Sequence, residues 1–402
     1  MARFAELGLA DPLLRVLKNR GYKVPTPIQT KAIPSALRGR DIVGIAQTGT
    51  GKTAAFALPV LQHIGRTRPE TPPPTRGLVL CPTRELAVQT GKRFAAYGRQ
   101  LTISSYVLYG GVPVEPQIAA LERGVDIVVA TPGRLRDLHR RGHVSLDRVA
   151  HVVLDEADRL LDQGFLDDIR RIVGALPRER QSMLFSATFP AGVERLAARL
   201  VRDPVRIDVG PVAKPVASAR QQVLYVKQLD KPALTAHLVD QEPGRCLVFV
   251  RTKRGADRLC TLLQRADIAA DALHGDRSQA ARSAVVQALR DGATRVVVAT
   301  DVAARGLDIA ELDLVVNHDL PADPDTYVHR VGRVGRAGRE GLAVSLCDET
   351  TGGLLRDIER HTGAALTPNF AHPWHSHDAV PHADASGAAR SGRRRKRSRR
   401  RR

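Results

Sequence analysis

The chain has 402 residues, 43% of them hydrophobic, and a formal net charge of +20. That length predicts two domains and a tail, and with no run of 18 apolar residues no transmembrane helix is expected. The opening "MARFAELGLADPLL" carries Glu6 and Asp11 and lacks a signal-peptide apolar region, so a cytoplasmic protein with no membrane partner is expected. The four cysteines, Cys81, Cys246, Cys260 and Cys347, lie far apart and read as buried thiols, neither a metal site nor a disulfide framework. The charge is uneven: residues 390–402, "RSGRRRKRSRRRR", hold ten Lys or Arg and no acid. Such a run predicts a polyanion partner bound through backbone phosphates, and 4% aromatic content argues against a surface built mainly for base stacking.

In chain order, the predicted strands are "DIVGIA" (41–46), "GLVLCP" (77–82), "DIVVAT" (126–131), "HVVLDEA" (151–157), "SMLFSAT" (182–188), "CLVFVRT" (246–252), "TRVVVAT" (294–300) and "LDLVVNH" (312–318). Continuous apolar runs alternating with helical patterns imply parallel α/β sheets covered on both faces. "LVLCPTRELA" (78–87) resembles "LVFVRTKRGA" (247–256), and the two "VVAT" segments end at Thr131 and Thr300; both pairs are offset by 169 residues. Two matches at one offset predict two homologous α/β domains. The expected boundaries are 1–208 for the first domain, 209–220 for a Pro-rich linker and 221–365 for the second. Residues 366–402 are expected to be disordered, first His/Pro-rich and then Arg-rich. His372, His375, His377 and His382 lie there without an acid or thiol frame and read as a polar tract, not as metal ligands.

"AQTGTGKT" (46–53) follows a predicted strand and should open a helix, the context of a phosphate-binding loop. Its backbone N–H groups would cradle phosphates, Lys52 would reach the β/γ oxygens and the Thr53 hydroxyl would hold Mg2+. Ala46 stands at the usual first glycine. "VVLDEAD" ends an apolar strand with Asp155, Glu156 and Asp158, and carboxylates there are costly unless they serve a cation or a proton. Asp155 suits the Mg2+ shell through water, and Glu156 suits orientation or deprotonation of an attacking water.

The second half has no G-K-T/S, so one nucleotide site is expected. It has instead "HRVGRVGRAGR" (329–339), with Arg330, Arg333, Arg336 and Arg339 at every third position and glycines at the same period. Each glycine inside a helix costs roughly 0.8–1 kcal/mol relative to alanine, which favours a constrained arginine display over a helical stripe. The anion these arginines suit is the γ-phosphoryl group, reached across an interdomain cleft.

Over residues 4–365 the chain resembles a DEAD-box ATP-dependent RNA helicase, with loops in the style of bacterial members. The resemblance rests on "GYKVPTPIQ" (21–29) with Phe4 seventeen residues before Gly21, "AQTGTGKT", "PTREL" (82–86), "GG" (110–111), "TPGR" (131–134), "DEAD" (155–158), "SAT" (186–188), "QAAR" (279–282), "ATDVAARGLD" (299–308) and "HRVGRVGR" (329–336). It implies two tandem RecA-like domains and an RNA-stimulated ATPase that locally opens short duplexes. It also implies that Gln29 reads adenine while Tyr22 stacks on the ring, selecting ATP; that Thr48, Gly49, Thr50 and Gly51 surround the phosphates; and that Asp308 contacts the ribose. Ser186, Thr188 and Asp158 would couple the carboxylate strand to closure, His329 would tie the site to the RNA side, and Arg333 and Arg336 would be arginine fingers. The RNA backbone would meet Pro82, Thr83, Arg84, Gly111, Thr131, Gly133 and Arg134 in the first domain and Gln279, Arg282 and Thr300 in the second. For Thr83, Thr300 and "TPGR" a helix-start role is the alternative. Val334 replaces the family's usual Thr, and Arg251 stands where Asn is more usual. A clamp or assembly scaffold with little turnover, and a DNA-directed helicase, are the competing functions.

Overall fold

The computed structural model describes residues 3–47, 49–66, 70–209, 219–304, 312–335 and 341–380. Two units are built around one seven-stranded sheet each. The first sheet contains β1 (Ile42–Ile45), β2 (Gly77–Leu80), β3 (Ser105–Leu108), β4 (Ile127–Ala130), β5 (His151–Leu154), β6 (Gln181–Ser186) and β7 (Val205–Asp208), in the order β3-β4-β2-β5-β6-β1-β7. The second contains β8 (Ala219–Tyr225), β9 (Cys246–Phe249), β10 (Ala270–Leu273), β11 (Val296–Ala299), β12 (Leu314–Asn317), β13 (Gly341–Cys347) and β14 (Thr367–Pro368), in the order β10-β11-β9-β12-β13-β8-β14. Renumbered from its own first strand, the second order is identical to the first. All ladders within both sheets are parallel.

The apolar runs fold this way because both faces of each strand are covered. Val79, Val129, Val153, Met183 and Phe185 pack with Phe56 and Phe94 on one side of the first sheet, while Leu78, Leu80, Val128, Val152 and Leu184 pack with Leu138 and Val193 on the other. Alternation with period two leaves no polar face, as a parallel sheet requires. The 169-residue repeat has a local physical basis as well. Thr83 caps the helix Arg84–Tyr97 by accepting from Leu86 N–H at 3.2 Å, and Thr252 caps the helix Lys253–Arg265 by accepting from Gly255 N–H at 3.0 Å. All four cysteines are buried and free.

Two boundaries differ from expectation. β8 begins at Ala219, inside the segment read as linker. Residues 366–380 were expected to be disordered and are instead ordered. β14 pairs with β8, Asn369 N–H donates to Val223 O at 2.9 Å, Ser376 N–H donates to Tyr225 O at 3.0 Å, and Trp374 packs against the second core. The segment has no apolar period because it is held by backbone hydrogen bonds to β8, which leave no pattern in sequence. Residues 381–402, including His382 and the arginine run, lie outside the described residues. Among the described residues no helix is long and apolar enough to cross a membrane, and no group of three His, Cys, Asp or Glu is placed to hold a metal.

Candidate active site

The loop after β1 turns on two glycines in the left-handed region, Gly49 at φ 88° and Gly51 at φ 92°. A side chain at Gly51 would also collide with the carboxamide of Gln29. The loop delivers Lys52 to the first position of the helix Lys52–Arg66, with Thr53 partly buried beside it. Lys52 is 5% exposed, and its Nζ donates to Ala46 O at 2.7 Å. Thr50 Oγ1 donates to Gln47 O at 2.7 Å. Thr48 lies outside the described residues.

Gln29 and Tyr22 are braced from within. Gln29 Oε1 accepts from Thr26 N–H at 2.9 Å, capping the helix Pro27–Leu37, and Nε2 donates to Gly51 O at 3.1 Å. Tyr22 meets Phe4 and Tyr97 edge-on at centroid distances of 6.0 and 6.1 Å, and its hydroxyl lies 2.7 Å from that of Tyr97.

The carboxylates follow β5. Asp155 is 2% exposed and accepts Glu156 N–H at 3.0 Å. Burial pushes its carboxyl up to about 7; the Lys52 ammonium opposes that rise and the Glu156 carboxylate adds to it. Glu156 sits in the left-handed region at φ 51°, ψ 56°, a conformation that strains any residue with a side chain. Its carboxylate pairs with Arg159, which is buried and whose Nε and second terminal nitrogen have no hydrogen-bond partner among the described residues. Arg159 was not among the residues singled out from sequence, yet it stands three positions after Glu156, one turn along the helix Ala157–Asp162. Asp158 gathers the loop after β6: its Oδ2 accepts from Ala187 N–H at 3.2 Å, Thr188 N–H at 2.9 Å and Thr188 Oγ1–H at 3.0 Å. Its own N–H donates to Ser186 Oγ at 3.1 Å. The expected trio Asp158, Ser186 and Thr188 is therefore one hydrogen-bonded assembly.

Pro82, Thr83 and Arg84 follow β2, Gly111 follows β3, and Thr131, Gly133 and Arg134 follow β4. Because β3, β4 and β2 are neighbours, these residues share one corner of the sheet's carboxyl edge. Gly111, at φ 78°, lies so close to the Arg84 guanidinium that a side chain there would clash, and Arg134 donates to Val112 O at 3.2 Å. Gln117, also unmarked by sequence reading, pins this loop: Oε1 accepts Tyr109 N–H at 3.2 Å, and Nε2 donates to Tyr109 O at 3.3 Å and Pro113 O at 3.2 Å. Thr131 does begin a helix, Pro132–Arg140, but makes no side-chain cap.

Further along the chain Thr300 follows β11, Gln279 opens the helix Gln279–Asp291, and Arg282 lies one turn in, donating to Ala303 O at 3.4 Å. The side chain of Gln279 and all of Asp308, Arg336 and Arg339 lie outside the described residues. The arginine-glycine stretch begins as helix: Pro324–Val331 carries His329 and Arg330 in its last turn and ends at Gly332. Arg330 and Arg333 are 3% and 6% exposed, so neither is a solvated stripe.

The family model for DEAD/DEAH box helicases matches residues 26–196, and that for the helicase conserved C-terminal domain matches 230–338. The DEAD-box ATP-dependent RNA helicase CshA of Bacillus cereus is 43% identical over 363 residues, covering 90% of this chain and 68% of its own length. CshA of Geobacillus kaustophilus is 42% identical, covering 90% and 77%. Among solved structures, S. cerevisiae Dbp5 bound to RNA and ADP BeF3 is similar with a TM-score of 0.82 and 34% identity, over 92% of this chain and 96% of that one.

Proposed function

Since the chain belongs to the DEAD-box ATP-dependent RNA helicases, we propose that it hydrolyses ATP under RNA stimulation and uses that cycle for local opening or remodelling of short RNA duplexes or RNA–protein complexes. The observation that carries this reading is the buried Lys52, at the head of a helix after two left-handed glycines, acting on the buried Asp155 carboxylate. That pairing of a fixed cation and a dry carboxylate suits a Mg2+-bound triphosphate. A cytoplasmic location fits such a role.

In this reading Lys52 exchanges Ala46 O for the β/γ oxygens, and the backbone of 48–51 cradles the phosphates. Thr53 and Asp155 would hold Mg2+. A buried carboxylate raised to about 7 beside other buried carboxylates fits a site completed by a cation, and a donor set of one hydroxyl and one carboxylate fits an ion that keeps water and phosphate oxygens. Mg2+, when bound, supplies charge neutralisation at the phosphates. Glu156, held by Arg159, orients and deprotonates the attacking water. Gln29 retains one N–H and one lone pair beyond its internal bonds, the number an adenine N6/N7 edge needs, and Tyr22 would stack on the base. Asp308 would take the ribose. Arg333 and Arg336 would bring charge to the transferring phosphoryl group, with Asp158, Ser186, Thr188 and His329 coupling closure to it. RNA would lie along the strand-end residues of both units, and the basic run would add affinity without reading sequence.

Glu156→Gln tests the chemistry. It should keep ATP binding, lose most hydrolysis and accumulate on RNA in the presence of ATP. Wild-type turnover in this variant would remove Glu156 from the reaction, and a wild-type protein that binds RNA and ATP with little turnover would favour the clamp.

A further inference from the structure

Residues 366–380 lie beyond both matched family regions, and none of them has a part in the proposed function. They nevertheless hold one aromatic ring out to solvent. Of the chain's Phe, Tyr and Trp residues, all of them described, Phe370 alone is exposed, at 55%. A single exposed apolar side chain is ordinary on a protein surface; what sets Phe370 apart is its mounting.

The backbone before it is fixed by β14 and by Asn369, whose N–H donates to Val223 O at 2.9 Å and whose Nδ2 donates to Gln222 Oε1 at 3.1 Å. Asn369 Oδ1 accepts Ala371 N–H at 3.0 Å, and His372 N–H donates to Phe370 O at 3.0 Å, closing a tight turn around the phenylalanine. Past the turn His375 bridges to Val226, and Ser376 N–H donates to Tyr225 O at 3.0 Å. The Phe370 ring stacks on the buried Tyr225 ring, with centroids 6.1 Å and planes 23° apart, and His375 meets it edge-on at 5.1 Å. His375 is met in turn by His372 at 5.8 Å and by the exposed His377 at 4.7 Å. A ring held by its backbone and by neighbouring rings gives up little side-chain freedom on meeting another flat partner.

The chain that follows identifies the partner. Residues 390–402 carry ten Lys or Arg and no acid, and begin about twenty residues after Phe370. An open π-face tethered to a run of positive charge is the combination that takes single-stranded nucleic acid, the cations tracking phosphates while the ring stacks on a base of any identity. A protein partner would need a wider apolar patch, whereas the rings around Phe370 other than Tyr225 are imidazoles.

We propose that Phe370 is a base-stacking contact for single-stranded RNA, separate from the strand-end residues assigned to the RNA backbone. β8 and β14 close the end of their sheet opposite β10 and β11, so this contact stands apart from Thr300 and would engage a different stretch of strand. The proposal rests on the RNA-directed function and goes beyond it, because the strand-end residues meet sugar and phosphate and this one meets a base.

The test is fluorescence anisotropy of the full chain, without nucleotide, on a short labelled oligouridylate and on the same ribose-phosphate strand lacking bases. Phe370→Ala should weaken binding of the oligouridylate by about fivefold or more, and Phe370→Trp should hold or raise the wild-type affinity. No charge is removed, so the slope of log Kd against log salt should stay as in the wild type, whereas deletion of residues 390–402 should flatten it. The abasic strand should bind the wild type and Phe370→Ala alike. Because the ring is exposed, Phe370→Ala should keep the wild-type melting temperature, and its affinity is read on folded protein. Wild-type affinity of Phe370→Ala for the oligouridylate, or an equal loss on the abasic strand, would overturn the proposal. A change in sedimentation of Phe370→Ala would also overturn it and make the ring a contact between copies of the chain. A wild-type chain that binds neither strand would instead overturn the RNA-directed function on which the proposal rests.

Discussion

The two units share one strand order but treat the same position in opposite ways. After β1 a six-residue loop leads to Lys52 at the head of a helix; after β8, the corresponding strand, a five-residue loop leads to Lys231 at the head of the helix Lys231–Gln241. Both lysines are buried, at 5% and 2% exposure. Among the described residues Lys52 Nζ donates to a backbone carbonyl, whereas Lys231 meets Asp348 Oδ2 at 2.5 Å. Asp348 follows β13, the counterpart of β6, and hydrogen bonds from Lys231 and Thr350 outweigh burial and hold its carboxyl down to about 2. In the second unit an internal carboxylate therefore occupies the role that a ligand anion is proposed to take in the first. The scaffold does not determine chemistry; the loop and its counter-charge do.

The largest effect that can break this division of labour is at Arg333 and Arg336. Alanine at either should lower RNA-stimulated kcat by roughly 10³–10⁵, the worth of phosphoryl-directed arginines supplied from outside the nucleotide loop. ATP affinity, measured by a fluorescent nucleotide, should change little. Near-normal stimulated turnover in both variants would make these arginines an RNA-backbone patch, and the second unit would have no part in hydrolysis.

Next in size is the Lys231 pair. Lys231→Met leaves Asp348 buried without its partner and should cost about 3–5 kcal/mol, read from chemical denaturation of the second unit. Adding Asp348→Leu should recover much of that loss. If instead Lys231→Met weakened ATP binding, the second lysine would be a nucleotide ligand and the contrast between the units would vanish.

A smaller effect concerns acid, and it sharpens the likeness of the two units. Burial, the neighbouring His63 and Arg76 lower His151 in the first unit to about 4, with the Gln181 hydrogen bond pulling the other way. Burial, with Lys231 adding and Asp319 opposing, lowers His318 in the second unit to about 4. A folded pKa below the unfolded value means the unfolded chain takes up the proton first. The stabilisation is thus complete above about pH 6.5 and is lost as pH falls toward 4, worth on the order of 2–3 kcal/mol at each site. Melting temperature followed from pH 7 to 4 should fall less steeply in His151→Gln and in His318→Gln than in the wild type. Curves of unchanged steepness would mean that neither imidazole is kept neutral by folding.

The sequence was most informative where the sheet is most buried. β1, β2, β4, β5 and β6, with β9, β11 and β12, are continuous apolar runs because helices cover both faces. β3, β7, β10 and β14 lie at sheet edges and β8 next to one; partial exposure there admits Ser, Arg, Gln and Thr, and the pattern fades. β13 was missed for another reason, since "GLAVSLC" is buried but diluted by Gly, Ser and Cys. At the site, motifs identified Asp158 with Ser186 and Thr188 correctly as neighbours. They could not identify Arg159, Gln117 or Arg330 as braces, because a brace is defined by what its side chain reaches in space. The spacing of "HRVGRVGR" even suggested one shared role for arginines that folding divides, with Arg330 held inside the unit by Asp301 and Asn317.

The most direct test of the account is the ATP stoichiometry of the full chain, measured by titration in the presence of Mg2+. One nucleotide per chain is expected, abolished by Lys52→Ala and retained in the double variant Lys231→Met with Asp348→Leu. Two sites per chain, or one site that survives Lys52→Ala, would contradict it.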